Sequence, residues 1–170
     1  MKISIVVAVS DNNAIGAGGA LLWRLPKDME FFKNVTMGHH VLMGRKTWDS
    51  IPAKFRPLPG RINVVITRQK DFKAEGAIVV ESLEAGIELA QKAGEQELMV
   101  IGGGEIYKQA FTKADKIYLT KVHATFIDAD AFHPDISGSE WKEVRRESHT
   151  ADEKHKYGFD FVVLDRNKNV

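Results

Sequence analysis

The chain has 170 residues and no cysteine, and 24 lysines and arginines balance 23 aspartates and glutamates to a net charge of +1. Its apolar share of 44% and charged share of 28% exclude disordered, collagen-like and coiled-coil chains. The small net charge argues against a dedicated nucleic-acid binder, and the lack of cysteine excludes disulfides and thiolate metal sites. We therefore expect a single cytoplasmic domain over residues 1–170, with no metal site and no membrane segment.

Short β-branched apolar runs, separated by turn signals, predict six strands. They lie near Ile3–Val9, His40–Met43, Asn63–Thr67, Ala77–Val80, Leu98–Ile101 and Lys116–His123. Four helices are predicted between them, near Pro26–Met37, Arg45–Ser50, Leu83–Lys92 and Gly104–Phe111. Strands that alternate with helices indicate βαβ units and a largely parallel sheet covered on both faces.

The C-terminal part has a different pattern. Trp141–Ser148 and Tyr157–Leu164 alternate between apolar and polar residues and are joined by a polar loop, which predicts an antiparallel hairpin at the sheet edge. The expected fold class is therefore a strand-rich, single-domain α/β protein with a mostly parallel central sheet, a C-terminal hairpin and about four flanking helices. Two long loops, Ser10–Leu25 and Pro52–Gly60, are candidates for function because long loops in compact domains often carry it.

Asp28 begins an otherwise apolar face of the first predicted helix. Pro26 fits the first helical position, and residues 28, 31, 32 and 35 share one face that reads Asp, Phe, Phe, Val. One interpretation is an exposed first-turn acid favoured by the helix dipole. The other is a carboxylate facing a cleft, where burial raises its pKa and the dipole lowers it. Such a group could hold an amidine-like heterocycle or guide a proton.

Three consecutive glycines join a predicted strand to a predicted helix within Val100–Tyr107. Glycine lets the backbone approach a ligand closely, and the helix N-terminus offers free N–H groups to a phosphate. The segment is not the Rossmann fingerprint, because Tyr107 stands where its third glycine belongs. A tight turn is the alternative, and the run of three glycines favours a pyrophosphate cradle.

Two further strand ends carry cations and hydroxyls. Arg45, Lys46 and Thr47 follow one strand, and Thr67 and Arg68 end another. The spacing departs from that of a P-loop, and any one group could be solvated surface charge. Ligands of open α/β sheets gather at the carboxyl ends of the strands, so three such ends together indicate a phosphate-bearing ligand.

A proline loop carries two arginines, Arg56 and Arg61, around Pro57–Gly60. A rigid loop that presents guanidinium groups suits a ligand carboxylate, and a surface turn with two solvated arginines is the alternative. The six histidines show no metal-ligand spacing, and the chain has no Gly-x-Ser-x-Gly nucleophile elbow.

Taken together, these motifs resemble dihydrofolate reductase of the bacterial chromosomal type over essentially the whole chain. The matching segments are Ile5–Val9, Ala14–Gly16, Trp23–Asp28, Phe31–Lys33, Met43–Ile51, Pro57–Arg61, Ile101–Tyr107 and Tyr118–Thr120. The resemblance implies NADPH-dependent reduction of 7,8-dihydrofolate to tetrahydrofolate, with hydride transfer to C6 and protonation at N5, in one-carbon metabolism. It further implies a monomer that binds antifolate inhibitors.

The resemblance also implies roles for individual residues around the substrate. Asp28 would hold the pterin amino group and N3, Thr120 would bridge to that carboxylate, and Trp23 would order water beside it. Arg61 would bind the glutamate α-carboxylate, with Arg56 nearby. The walls of the substrate pocket would be formed by Val6, Ala8, Met29, Phe32, Ile51, Leu58 and Ile101.

For NADPH, the resemblance implies a site along the strand ends. The nicotinamide end would contact Ala8, Ile15, Gly16 and Ala20. The adenosine side, with its 2′-phosphate, would be held by Arg45, Lys46, Thr47, Thr67 and Arg68. The pyrophosphate would lie on Gly102, Gly103, Gly104, Glu105, Ile106 and Tyr107, with a cis peptide between Gly103 and Gly104.

By the same resemblance, Ser10–Leu25 would be a mobile lid and Asp130 the acid that can hold it closed. Leu22 departs from the proline usual in the family, which affects the stiffness of the lid. One rival is the pyrimidine reductase of riboflavin synthesis, which should lack the Trp23–Asp28 segment and the Pro57–Arg61 clamp. A second rival is a catalytically silent NADPH-binding module, which would have no need of Asp28.

Overall fold

The fold is described from a computed structural model, over residues 1–167. Ten strands and four helices follow one another along the described chain. Their bounds are β1 (Lys2–Ser10), β2 (Ala14–Gly16), α1 (Pro26–Thr36), β3 (His40–Gly44), α2 (Arg45–Ser50), β4 (Ile62–Ile66), β5 (Ile78–Val80), α3 (Leu83–Lys92), β6 (Glu97–Gly102), α4 (Gly104–Phe111), β7 (Lys116–Val122), β8 (Ala131–Phe132), β9 (Trp141–His149) and β10 (Phe159–Arg166). A 3-10 turn also spans Ala53–Phe55.

Eight strands form one sheet in the order β5-β4-β3-β6-β1-β7-β10-β9. The six strands from β5 to β7 run parallel to their neighbours. In this sheet, β10 runs antiparallel to both β7 and β9. The prediction of a mostly parallel sheet with a C-terminal antiparallel hairpin and four helices is therefore confirmed.

Both faces of the sheet are covered, and the central strand β1 contributes to each. Ile5 and Val7 lie in a core cluster with residues of α3 and α4, whereas Val6 lies in a cluster that includes residues of α1 and α2. Side chains of a strand alternate between faces, so one apolar run serves two cores. Each such buried side chain stabilises the fold by about 1.5–3 kcal/mol.

Local signals set the helix ends. The Ser82 hydroxyl oxygen accepts a hydrogen bond from the Ala85 N–H at 3.0 Å and so caps α3. Gly94 follows α3 with φ +82°, a left-handed conformation that glycine adopts without steric cost. Helix α1 begins with Pro26 at its first position, as predicted, but its N-cap residue Leu25 provides no side-chain acceptor.

The loop Ser10–Leu25 contains an element that the sequence analysis did not predict. Its short strand β2 pairs antiparallel with β8 to form a separate two-stranded sheet. Strands of two or three residues are too short for an apolar periodicity to reveal them. Within residues 1–167, no helix combines the length and apolar character needed to cross a membrane.

Candidate active site

The carboxyl ends of three adjacent strands meet at one edge of the sheet. In the pairing register, Met43 of β3 lies opposite Gly102 of β6, and Gly44 lies opposite Ile66 of β4. The three segments selected from the sequence, which follow β3, β4 and β6, are therefore neighbours in space. Because the three segments lie side by side, they form one extended candidate site, although each motif alone is weak evidence for ligand binding.

The glycine turn after β6 allows a close backbone approach. Gly102 has φ +121°, and a Cβ added to it would lie 3.2 Å from the Tyr107 ring. A Cβ added to Gly103 would lie 3.3 Å from the Thr47 hydroxyl oxygen, so side chains here would narrow the space between the two strand ends. Gly103 is the N-cap residue of α4 and has no side chain to bond the first N–H groups of that helix. This arrangement suits a phosphate.

The cis peptide bond lies between Gly102 and Gly103. The expectation that it joins Gly103 to Gly104 is therefore wrong by one residue. Gly104 is already the first residue of α4, and Gly103 precedes it with extended backbone at the N-cap. A second cis bond joins Arg56 to Pro57 in the proline loop.

The predicted adenosine-side residues form a rim of cations and hydroxyls. Arg45 donates to an Asp49 carboxylate oxygen at 3.0 Å, one turn further along α2. Lys46 and Arg68 are exposed, and the Thr67 hydroxyl accepts from the Gln69 N–H at 3.1 Å. A partly exposed rim of this kind can bind phosphate without burying unpaired charge.

Asp28 lies on the first turn of α1 and faces the interior rather than open solvent. Thr120 of β7 donates its hydroxyl proton to Asp28 Oδ1 over 2.6 Å. Burial raises the pKa of the Asp28 carboxyl, and the Thr120 hydrogen bond lowers it by a smaller amount. Burial, and then the charge of Asp28, raises the pKa of the nearby Tyr107. The geometry favours the interpretation of Asp28 as a cleft-facing carboxylate over that of an exposed acid.

An apolar cluster includes Phe32, which lies one helical turn after Asp28 on α1. Five residues predicted to line the substrate pocket pack in it together: Val6, Phe32, Ile51, Leu58 and Ile101. Ala8 packs instead with the cluster that contains Trp23. Met29 is 60% exposed and stands outside both clusters. The structure thus brings five of the seven predicted wall residues into one surface.

The two arginines of the proline loop have different surroundings. Arg61 donates to the Pro59 carbonyl at 2.9 Å and to the Thr36 hydroxyl at 3.3 Å, which holds its guanidinium beside the end of α1. Burial lowers the pKa of Arg61, and the group stays cationic at neutral pH. Arg56 donates to the carbonyls of Trp48 and Ile51, at 3.0 and 3.3 Å. Its guanidinium is therefore engaged at the end of α2.

Asn63 is a functional candidate that the sequence analysis missed. It is 2% exposed in β4. Its Oδ1 accepts from the Leu58 N–H at 2.9 Å, and its Nδ2 donates to the carbonyls of Leu58 and Arg61, both at 3.1 Å. These bonds fix the loop that carries Arg61. The available signal was an amide side chain inside an otherwise apolar strand, since buried polar groups are normally hydrogen-bonded.

Backbone and side-chain hydrogen bonds hold the loop Ser10–Leu25 against the segment that contains Asp130. The Gly18 N–H donates to an Asp130 carboxylate oxygen at 2.9 Å, and the Asp130 N–H donates to the Gly16 carbonyl at 3.0 Å. Further along, Trp23 is 8% exposed and packs on Phe126 with ring centroids 5.6 Å apart. Among the other predicted contacts of the nicotinamide, Ile15 is half-buried and Ala20 exposed.

Comparison with known proteins places this geometry in a family. The family model for dihydrofolate reductase matches residues 2–166. The chain is 42% identical to the type 3 dihydrofolate reductase of Salmonella typhimurium, over 99% of this chain and all of the other. It is 46% identical to the dihydrofolate reductase of Neisseria gonorrhoeae, over 86% of this chain and 87% of the other.

A solved structure agrees with these relatives. The dihydrofolate reductase of Enterococcus faecalis, complexed with NADP(H) and RAB-propyl, superposes with a TM-score of 0.86 at 33% identity, over 98% of this chain and 97% of the other. The family match spans every element of the sheet and both loops of the candidate site. The chain belongs to the dihydrofolate reductase family.

Proposed function

We propose that the chain reduces 7,8-dihydrofolate to 5,6,7,8-tetrahydrofolate with NADPH, and that Asp28 is the residue that orients the pterin and manages its proton. The observation that carries this proposal is the half-buried carboxylate of Asp28, which accepts a hydrogen bond from Thr120 and lies one helical turn before Phe32 of the apolar cluster. The activity supports one-carbon metabolism and thymidylate synthesis.

The residues at the strand ends fit NADPH. Side chains are absent at Gly102 and Gly103, where a Cβ would crowd Tyr107 and Thr47, so a pyrophosphate can approach the first N–H groups of α4. Arg45, with Lys46, Thr47, Thr67 and Arg68 around it, would hold the adenosine side and the 2′-phosphate. When bound, NADPH supplies the hydride for C6 of the pterin.

The chain's own residues then position the substrate. Asp28 accepts hydrogen bonds from the pterin amino group and N3, while Thr120 holds the carboxylate in place. Because burial raises its pKa, Asp28 binds a proton more readily than an exposed aspartate does, and it favours protonation at N5. The pterin and aminobenzoyl rings are surrounded by apolar side chains, those of Val6, Ala8, Met29, Phe32, Ile51, Leu58 and Ile101.

The remaining groups close and orient the complex. Arg61 binds the α-carboxylate of the glutamate tail, an interaction that suits its planar guanidinium. Arg56 lies nearby and stabilises the proline loop that carries Arg61. The loop Ser10–Leu25 covers the rings and excludes water, with Trp23 ordering the solvent that remains near Asp28. The same pocket accepts antifolate inhibitors.

The direct test is oxidation of NADPH by the purified protein, followed by loss of reduced-nicotinamide absorbance. We expect oxidation only when dihydrofolate is present, and inhibition by a diaminopyrimidine. If NADPH binds tightly but dihydrofolate causes no oxidation, the proposal fails. The pyrimidine substrate of riboflavin synthesis then separates that reductase from a silent binding module.

The substitution Asp28→Asn tests the role of the carboxylate. Asn keeps an oxygen that accepts from Thr120, but it cannot carry a charge or a proton. We expect turnover near neutral pH to fall by about two to four decades, with NADPH affinity unchanged. Unchanged turnover would contradict the assigned role.

We also propose that the chain works as a monomer in the cytoplasm. Every group assigned to the site comes from a single chain, so a second copy is not needed to complete it. A chain without cysteine suits a reducing compartment. Sedimentation equilibrium of the active protein tests the monomer directly, and a dimer at assay concentration would refute it.

A further inference from the structure

The helix that carries Asp28 begins without a cap of its own. Leu25 provides no side-chain acceptor, and Pro26 has no N–H. The N–H groups of Asp28 and Met29 both donate to the Leu25 carbonyl, at 2.9 and 3.1 Å. The N–H of Lys27 is the donor of the first turn that is satisfied from outside the helix.

That external partner is His155, from the loop between β9 and β10. The Lys27 N–H donates to His155 Nε2 at 3.1 Å, across 128 positions of the chain. Nε2 accepts this bond, and the other ring nitrogen, Nδ1, lies 2.7 Å from Asp152 Oδ1, to which it donates. His155 therefore caps α1 in place of an N-cap side chain.

The capping histidine is held rigidly. Its side chain is 3% exposed, and its ring lies 5.3 Å from the ring of Phe159, between centroids. The Asp152 N–H donates to the His155 carbonyl at 2.9 Å, which closes the turn that positions the imidazole. A fixed acceptor of this kind defines where the first turn of α1 lies.

The aromatic contact that α1 makes near this end is less directional. Phe31 stacks on Phe161 of β10 at 4.3 Å between centroids, and this apolar contact tolerates small shifts along the helix axis. Asp28 must nevertheless meet Thr120 at 2.6 Å. A hydrogen bond to the adjacent residue, Lys27, restricts the shift that would open that distance.

We propose that His155 is a positioning residue for catalysis: by accepting from the Lys27 N–H, it fixes the first turn of α1 and so holds the Asp28 carboxylate against Thr120. The effect of His155 on turnover rests on the proposed function. The placement of Asp28 itself is measurable in the protein without any ligand.

Three substitutions of His155 distinguish the effect of its hydrogen-bond acceptor from the effect of its aromatic ring. His155→Gln keeps an acceptor near the position of Nε2. His155→Asn places its polar group near Nδ1 instead, and His155→Phe keeps a ring with no acceptor. The matched control is His149→Gln, because His149 also stacks near Phe159, at 5.1 Å, but approaches Lys27 only through its side-chain amine, at 3.5 Å.

The first measurement is titration of the Asp28 carboxyl carbon by NMR in the ligand-free protein. Burial raises the pKa of Asp28 and the Thr120 hydrogen bond lowers it by less, so a shift that lengthens this bond while the carboxyl stays buried raises that pKa further. We expect the rise in His155→Phe and His155→Asn, and the wild-type value in His155→Gln and His149→Gln. A merely structural loss of stability would not reproduce this pattern.

The second measurement is single-turnover reduction of dihydrofolate. We expect His155→Phe and His155→Asn to slow this step about tenfold with NADPH affinity unchanged, and His155→Gln to stay within about twofold of wild type. An unmoved Asp28 titration in His155→Phe, or a Gln variant that behaves like Phe, overturns the proposal. Wild-type protein that never reduces dihydrofolate overturns the proposed function instead, and the titration still decides the positioning role.

Discussion

Thr120 on β7 and Asp28 on α1 are joined by a 2.6 Å hydrogen bond, in which the hydroxyl donates to the carboxylate. Thr120 is 2% exposed and pairs with Ala8 of β1, so this bond connects α1 to the interior of the sheet. The bond offsets only part of the unfavourable effect of burial on the charged carboxylate, since the pKa of Asp28 remains raised. The ionised group is therefore held at some cost to stability.

The first prediction follows from the sign of that shift. An acid whose pKa is raised in the folded state destabilises the fold when it is ionised, so the effect is present at neutral pH and vanishes below its unfolded value of 3.8. We expect Asp28→Asn to increase the free energy of unfolding at pH 7 by about 1 kcal/mol. Urea unfolding at pH 7 and at pH 3.5 should show the gain only at the higher pH.

Thr120→Val provides the control for this prediction. It removes a hydroxyl donor that favours the charged carboxylate, so it should raise the pKa of Asp28 and lower stability at pH 7. A destabilised Asp28→Asn variant at pH 7 would mean that interactions of the charged form outweigh its burial.

The second prediction concerns the two arginines of the proline loop. We expect Arg61→Lys to raise the KM for dihydrofolate about tenfold, because lysine cannot bind a carboxylate with two parallel bonds. A dihydropterin without the glutamate tail should be reduced equally by Arg61→Lys and wild type. Steady-state kinetics with both substrates distinguish loss of tail binding from general damage to the pocket.

Arg56→Lys is the matched comparison. Its guanidinium contacts the Trp48 and Ile51 carbonyls and lies 5.4 Å from the Trp48 ring centroid. We expect this variant to lower stability and to affect both substrates alike. If it instead raises the KM for dihydrofolate alone, the tail carboxylate is bound by Arg56.

The carboxyl ends of the parallel strands could be located from the sequence. Apolar runs such as Leu98–Ile101 have the length and β-branching of buried parallel strands, so their positions along the chain could be predicted locally. The position of Gly102 and Arg45 at the carboxyl edge of the sheet then followed from the rule that parallel strands share that edge. The pairing of Met43 with Gly102 shows that edge directly.

The remainder of the site depends on contacts between distant segments. No local pattern links His155 to Lys27, or Asp130 to Gly18, because each bond spans more than 100 positions. The burial of Asp28 was likewise open, since a first-turn acid can face either solvent or a cleft. Such contacts arise from tertiary packing, which a single sequence does not display.

The third prediction tests the hold on the loop Ser10–Leu25. The Gly18 N–H donates to Asp130 at 2.9 Å, and Asp130→Ala removes this acceptor. We expect hydride transfer to slow about fivefold, because the loop spends less time closed over the rings. Asp130→Asn keeps an acceptor oxygen and should lie within about twofold of wild type in the same stopped-flow measurement. Equal losses in both variants would assign the effect to charge rather than to the hydrogen bond.

The fourth prediction concerns Glu95, just before β6 and at the opposite end of that strand from Gly102. Its carboxylate bonds the imidazoles of His39 and His40, at 3.0 and 2.8 Å, and accepts from the Glu97 N–H at 3.2 Å. Burial raises the pKa of Glu95, but these hydrogen bonds prevail and lower it to about 2.

A lowered pKa means that the ionised group stabilises the fold above its unfolded value of 4.5, and that this contribution is lost as the pH falls toward 2. We expect Glu95→Gln to reduce the free energy of unfolding at pH 7 by about 2 kcal/mol, with a much smaller difference at pH 2.5. Because Glu95 lies far along the strand from the strand-end site, turnover at 25 °C should not change. A difference that persists undiminished at pH 2.5 would mean that packing, rather than charge, holds this end of the sheet.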